Sequence, residues 1–177
     1  MATPLAGRHN LYNTLAGLAG ARTGGLDPDS LAEVVAQLKP APMRGQLLET
    51  RGIRIINDCY NSNPRAAEMM LDVLASMPAR RRVAVLGEML ELGASSEALH
   101  RQVGSKAAQV DLSLLAGVRG AARYLVEAAI EAGFPRSAAH FFEDSRGAGE
   151  FLSTALEPGD AVLLKGSRGV RLEQALE

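Results

Sequence analysis

The sequence predicts an α/β fold: a doubly wound sheet of five parallel strands plus one antiparallel strand, preceded by two separate helices. Three observations predict it. From residue 44 onward short apolar runs alternate with amphipathic helical patterns over short loops, the arrangement of right-handed crossovers between parallel strands. The central runs are continuously apolar, as in strands covered by helices on both faces. Before residue 40 two helical patterns follow one another with no strand between them.

Taking the elements in order, Leu11, Leu15 and Leu18 place an apolar stripe on a helix over 10–21, closed by Gly24 and Gly25. A second helix opens at Asp27-Pro28 and carries Leu31, Val34, Val35 and Leu38. Two such helices cannot bury both their faces alone, so they read as the tail of a larger domain. Pro40 and Pro42 then break the helical pattern and mark a linker.

"GQLLET" and "IRIIND" flank Arg51-Gly52 as a hairpin. A helix over 64–77 follows, with Asn63 as N-cap, Pro64 at its first position, and Ala66, Met69, Met70, Val73, Leu74 and Met77 inward. The strand 82–87 leads to a helix over 96–109 striped by Leu99, Val103 and Ala107. The strand 112–117 leads to a helix over 119–132, ended by Gly133. The strand 138–142 leads to a helix over 145–156, and the strand 161–166 to a last helix near 169–176.

Composition narrows the function. A net charge of −1 with no run of Lys or Arg argues against nucleic acid or a membrane surface as the main partner. The single cysteine, Cys59, excludes an intramolecular disulfide and fits a reducing cytoplasm. No apolar stretch approaches a transmembrane length and no signal-peptide pattern opens the chain.

In doubly wound sheets ligands bind beyond the carboxyl ends of the strands. Asp58 stands at one such end. A βα-loop aspartate commonly serves the start of its helix, but Asn63 already fills the cap, which leaves Asp58 placed to accept the hydroxyls of a ribose. Glu88 and Glu91 in "LGEMLELG" could do acid–base work or hold Mg²⁺; without a partner they read as a solvated loop with one helix-entry charge. Lys165, Ser167 and Arg168 in "KGSRG" set two cations beside a possible nest of backbone N–H groups, suited to a carboxylate or phosphate, although these are also ordinary turn residues. His9, His100 and His140 are too scattered for a metal site; His100 reads as helix packing and His140 as a core or sheet-face residue. Cys59 reads as a small buried residue rather than a nucleophile. Neither GxxxxGK[ST] nor GxGxxG occurs.

The segments "GRHNLYNTLAGLAG" (7–20), "PAPMRG" (40–45), "INDCYNSNP" (56–64), "VAVLGEMLELGASSEALHRQVG" (83–104) and "VLLKGSRGVRLEQ" (162–174) together resemble the Mur ligases, in the same order and over nearly the whole chain. "LGEMLELG" and "KGSR" are most similar to the member that adds D-alanyl-D-alanine to UDP-N-acetylmuramoyl-tripeptide. The resemblance implies a three-domain enzyme. Residues 1–40 would be the end of its central ATP-binding domain and 43–177 its Rossmann-like C-terminal domain.

It further implies a cytoplasmic, monomeric ligase using ATP and Mg²⁺ through an acyl phosphate, with the P-loop and Mg²⁺ ligands outside this piece and the piece inactive alone. No nucleic-acid partner and no membrane insertion are expected. Carried over by position, Asn10 and Asn13 would meet adenine, Arg44 ribose or phosphate, and Asp58 the ribose. Tyr60 and Asn61 follow in the same nucleotide loop. Asn63, Lys165, Ser167 and Arg168 would face the substrate peptide. Asn57, where the family often has a second acid, is not expected to bind metal; Met43, where Gly often precedes the arginine, would stiffen the linker.

Two rivals share parts of this pattern. A receiver-type module also has a strand-end acid and lysine, but it needs an acidic pair after its first strand and an aspartate after its third, where this chain has Ala116-Gly117. A folylpolyglutamate or cyanophycin synthetase is opposed by the "ELG…H" and "KGSR" segments.

Overall fold

The computed structural model describes Thr3, Leu5 and residues 8–176, and the chain divides into two compact units, Met1–Ala41 and Pro42–Glu177. In the first unit α1 spans Arg8–Thr23, followed by a 3-10 turn over Pro28–Leu31 and a short α2 over Ala32–Ala36. Asp27 opens that turn, its side chain accepting from the Asp29 N–H. The predicted stripe of α1 is not a buried one: Leu11 and Leu15 are exposed, as is Tyr12 beside them. Val35 is the buried hydrophobic residue of α2, while Val34 is exposed.

The second unit is built on β1 (Gln46–Thr50), β2 (Ile53–Asp58), β3 (Arg81–Gly87), β4 (Leu114–Val118), β5 (Ala139–Phe142) and β6 (Asp160–Lys165). These form one sheet in the order β1-β2-β6-β3-β4-β5. β1 pairs antiparallel with β2, and every other pairing is parallel. The hairpin between β1 and β2 turns at Arg51 and Gly52, both with positive φ (51° and 75°), where glycine carries no steric penalty.

Helices α3 (Pro64–Ser76), α4 (Ser96–Ala107) and α5 (Ala122–Glu131) cover one face, packing Leu71, Leu74, Val103, Leu125 and Ala129 onto Ile56, Ala84, Leu86 and Leu163. Helix α6 (Ser145–Ala155) covers the other with Ala148 and Leu152, joined by Leu172 and Ala175 near the C-terminus. Strand β6 is buried along its whole length, its apolar run Ala161–Leu164 lying between two buried charged residues, Asp160 and Lys165.

Three details depart from the sequence expectation. The inward stripe of α4 is His100, Val103, Gly104 and Ala107, with Leu99 only half-buried. Gly104 explains the shift: a Cβ there would lie 2.0 Å from the Leu125 carbonyl oxygen, so α4 and α5 approach with backbone against backbone. The expected helix near 169–176 is instead two 3-10 turns, Arg168–Val170 and Leu172–Leu176, separated by Arg171 in the left-handed region (φ 54°). The helix expected over 119–132 starts only at Ala122, because Arg119 (φ 71°) and Gly120 (φ 48°) form a tight turn first.

Candidate functional site

The strand order places β6 between β2 and β3, although β2 and β3 are consecutive in the chain. The loops leaving the carboxyl ends of β2, β6 and β3 therefore meet at the point where the winding reverses, the usual ligand crevice of such sheets.

Parallel register sets Asp58 beside Lys165, so both side chains project to the α3 face. Lys165 Nζ donates to Asp58 Oδ2 at 2.6 Å and to the Asn61 carbonyl at 2.9 Å. The lysine is 2% exposed, and an ammonium so far from water needs both acceptors. Asp58 keeps 17% of its side chain in solvent, and among the described residues its second oxygen, Oδ1, accepts no hydrogen bond. Cys59, one position on, turns to the opposite face, where its thiol lies 3.5 Å from the Leu164 carbonyl. Burial, then the charge of Glu173, pushes its pKa up to about 12, so it stays a thiol and not a nucleophile.

The loop after β2 spends its own polar groups on its shape. Asn61 Oδ1 accepts from the Ser62 N–H (2.8 Å) and Asn63 Oδ1 from the Ala66 N–H (2.9 Å), the latter capping α3. Both residues are exposed, and neither amide nitrogen makes a hydrogen bond among the described residues. The Tyr60 N–H donates to the Met43 carbonyl at 3.1 Å, and the Arg44 guanidinium lies 3.9 Å from the centroid of the Tyr60 ring, a cation–π contact. Met43, at φ 58°, also donates its N–H to Gln46 Oε1 (3.4 Å). Residues 43–44 are thus fastened to the β2 loop.

Beyond β6 the three residues expected to act together separate. Lys165 is committed to Asp58, while Arg168 pairs with Glu173 and touches Met43 Sδ at 3.7 Å. Ser167 is buried between them and holds the β3 loop: its N–H donates to the Glu88 carbonyl (3.2 Å) and its Oγ accepts from the Leu90 N–H (2.9 Å). The two cations do not form one free anion cradle, since each already has its carboxylate. Asn10 and Asn13 lie one turn apart on α1, in the first unit.

Two residues of the rim were missed in the sequence. Glu88 is not a solvated charge: its Oε1 accepts from the Ala121 N–H at 2.9 Å, Oε2 lies 3.8 Å from Arg119 Nε, and its side chain is 18% exposed. It caps α5, whose N-cap residue, Ala121, has no capping side chain. A Cβ on Gly120 would lie 2.3 Å from Glu88 Oε1, so the glycine is what admits the carboxylate. The signal that could have found it is a helix start with no Ser, Thr, Asp or Asn. His100 is the other: fully buried, it accepts the Met89 N–H at Nε2 (2.9 Å) and donates from Nδ1 to the Ser96 carbonyl (2.7 Å). Glu91 sits exposed at the tip of the same loop with φ 65°. The side chain of His9 lies outside the described residues; His140 stacks within an aromatic group, 4.5 Å from Phe151 by ring centroids.

The family model described as Mur ligase, glutamate ligase domain, matches residues 43–168, from the Met43–Arg44 clasp through all six strands to Arg168. The chain belongs to the Mur ligase family. Among relatives of this Mur ligase chain, the UDP-N-acetylmuramoyl-tripeptide–D-alanyl-D-alanine ligase of Synechocystis is 34% identical over 169 residues, covering 96% of this chain and 37% of the relative. The protein of the same name from Bacillus subtilis is 29% identical over 98% of this chain and 38% of its own length. Among solved structures, MurF from Acinetobacter baumannii superposes with a TM-score of 0.85 at 26% identity, over 98% of this chain and 38% of that one. MurF ligase from Thermotoga maritima in complex with ADP gives 0.78 at 28% identity, over 94% and 36%. The Mur ligase chain thus spans well under half the length of these relatives. Among the described residues no helix is long and apolar enough to cross a membrane.

Proposed function

We propose that this chain is the C-terminal part of an ATP-dependent amide ligase that joins D-alanyl-D-alanine to UDP-N-acetylmuramoyl-tripeptide through an acyl phosphate. Residues 1–40 are the end of its central ATP-binding domain and 43–177 its C-terminal domain. Support for the substrates comes from the shared name of relatives that match along nearly the entire chain. Support for nucleotide comes from the Thermotoga maritima relative, described with ADP.

The observation that carries the reading within this chain is Asp58 at the end of β2: one oxygen is locked by Lys165, and the other accepts no hydrogen bond among the described residues on a side chain that keeps 17% of its surface in solvent. A carboxylate oxygen so fixed suits the vicinal hydroxyls of a ribose. Arg44, stacked on exposed Tyr60, and the exposed residues Asn61 and Asn63 extend the same rim. Asn10 and Asn13 keep the adenine role carried over by position. Ser167 and Arg168 meet the incoming dipeptide, whereas Lys165 acts through Asp58. ATP supplies the phosphoryl group that activates the peptide carboxylate, and Mg²⁺ is held by the remainder of the longer enzyme. The enzyme works as a cytoplasmic monomer.

Titrating MgADP and D-alanyl-D-alanine separately into the ¹⁵N-labelled chain tests this. Nucleotide shifts should centre on residues 58–63 and Arg44, and Asp58→Asn should weaken binding about tenfold, as expected for a lost charged hydrogen bond. Nucleotide shifts that avoid 58–63 would overturn the ribose assignment.

A further inference from the structure

The buried ring of His100 has no place in the nucleotide reading, yet both of its nitrogens are engaged at the rim. Nδ1 faces a carbonyl oxygen, which only accepts, so Nδ1 carries the ring proton. Nε2 faces the Met89 N–H, which only donates, so Nε2 presents its lone pair. The neutral ring with that one tautomer satisfies both backbone contacts, and the Ser96 hydroxyl lies a longer 3.4 Å from Nδ1.

The loop it holds is bonded residue by residue. The Glu88 N–H donates to the Val118 carbonyl at 2.9 Å, and the Glu88 carbonyl accepts from the Ser167 N–H. The Met89 N–H goes to His100 and the Leu90 N–H to Ser167 Oγ. Ser167 is therefore held at its amide and its hydroxyl by the two residues on either side of Met89. Because Leu90 occupies the oxygen, the hydroxyl hydrogen of Ser167 is left to donate toward a ligand.

We propose that His100 is a positioning residue for Ser167, and that proton uptake at Nε2 releases the 88–90 loop and unsets that serine. A protonated Nε2 would set N–H against the N–H of Met89, so one must move. The consequence for substrate rests on the assignment of Ser167 to the dipeptide; the loop transition itself does not.

The surrounding charges support a ring kept neutral at physiological pH. Burial lowers the pKa of His100, opposed by its bond to the Ser96 carbonyl and by the charge of Glu88. Glu88 is itself engaged by Ala121 and Arg119. On α4, Arg101 pairs with Glu127 and Glu131 of α5, Lys106 pairs with Asp72 of α3, and Gln102 bonds Glu68 of α3; Glu97 in its first turn is exposed. With the folded pKa depressed below 6.5, the unfolded chain binds more protons in this range. The contribution of His100 to stability is full above about pH 6.5 and declines as pH falls below it.

The test follows ¹⁵N spectra and amide exchange of the 177-residue chain from neutral to mildly acidic pH. The His100 ring should titrate below 6.5. The amides of Met89, Leu90 and Ser167 should shift with the same midpoint, and protection of the Met89 amide should fall about tenfold. His100→Gln, whose side-chain oxygen accepts the Met89 N–H without titrating, should keep the loop bonds and lose the transition. Loop amides that stay unmoved while His100 titrates would overturn the proposal, as would a glutamine variant with the same midpoint, or loss of loop and β6 protection in a single step. If the loop titrates but D-alanyl-D-alanine affinity is equal on both sides of the midpoint, the Ser167 assignment fails and the loop switch stands.

Discussion

Lys165 Nζ lies 2.6 Å from Asp58 Oδ2, in a pair whose members are 107 positions apart and whose cation is almost wholly excluded from water. The asymmetry of exposure dictates an asymmetry of cost. Removing Asp58 strands a buried ammonium, whereas removing Lys165 leaves a carboxylate that already reaches solvent. Asp58→Ala should destabilise the Pro42–Glu177 unit by about 3 kcal/mol, and Lys165→Met by about 1 kcal/mol. Urea unfolding measures both, and a lysine variant costlier than the aspartate variant would refute the account.

Asn63 has two separable tasks, because its oxygen caps α3 and its nitrogen is free to face a ligand. Asn63→Ala should cost about 1 kcal/mol of stability. Asn63→Asp should keep the cap, and with it the unfolding midpoint, while changing only ligand affinity. Equal melting of the alanine variant and the parent would remove the cap from the argument.

How much of this was legible in the sequence varied with the range of the signal. The β1–β2 hairpin and the start of α3 could be read because Arg51-Gly52 and Asn63-Pro64 carry their own local chemistry. Asp58 could be placed at a strand end, but its partner could not be named, since register between β2 and β6 is set by packing across 107 residues. That is why Lys165 and Arg168 read as one cationic pair when each has a separate carboxylate. Glu88 was misjudged for a related reason: a carboxylate held by the Ala121 N–H of another element looks, in sequence, like a solvent-facing one. His100 could be read as a packed helix residue, but not as the acceptor of the Met89 N–H. The last turns failed through backbone alone, where Arg171 adopts a left-handed conformation that its residue type does not announce.

Gly104 and Gly147 should respond oppositely to the same substitution. At Gly104 a Cβ meets the Leu125 carbonyl oxygen at 2.0 Å, and backbone atoms cannot rotate away. Gly104→Ala should therefore push α4 from α5 and cost about 3 kcal/mol, at the upper end for an overpacked site. At Gly147, in the first turn of α6, the nearest atom is Asp144 Oδ1 at 3.5 Å, an ordinary contact. Gly147→Ala should stabilise by about 0.5 kcal/mol through helix propensity. Thermal unfolding of the pair distinguishes close helix approach from a general intolerance of alanine.

The acid limb of stability should be governed in part by Asp160, at the opposite end of β6 from the crevice. Its fully buried carboxylate accepts Arg81 Nε (2.9 Å), Arg81 Nη2 (2.7 Å) and the Glu157 N–H (2.8 Å). Burial acts to raise its pKa, but the Arg81 hydrogen bonds, the Glu157 amide and the charges of Arg81 and Arg80 outweigh it and hold the pKa below 3.8. A depressed folded pKa means the unfolded chain binds the proton first. The stabilisation is complete above about pH 3.8 and is lost as pH falls through the folded value. Arg81→Met should cost about 3 kcal/mol at neutral pH, because it leaves a buried carboxylate without its cation. In that variant burial is less opposed, the acid protonates at higher pH, and the deficit relative to the parent should shrink on acidification. Urea unfolding at neutral pH and near pH 3.8 reads this directly, and a deficit that stays constant between the two would show that the ion pair is not what stabilises the strand.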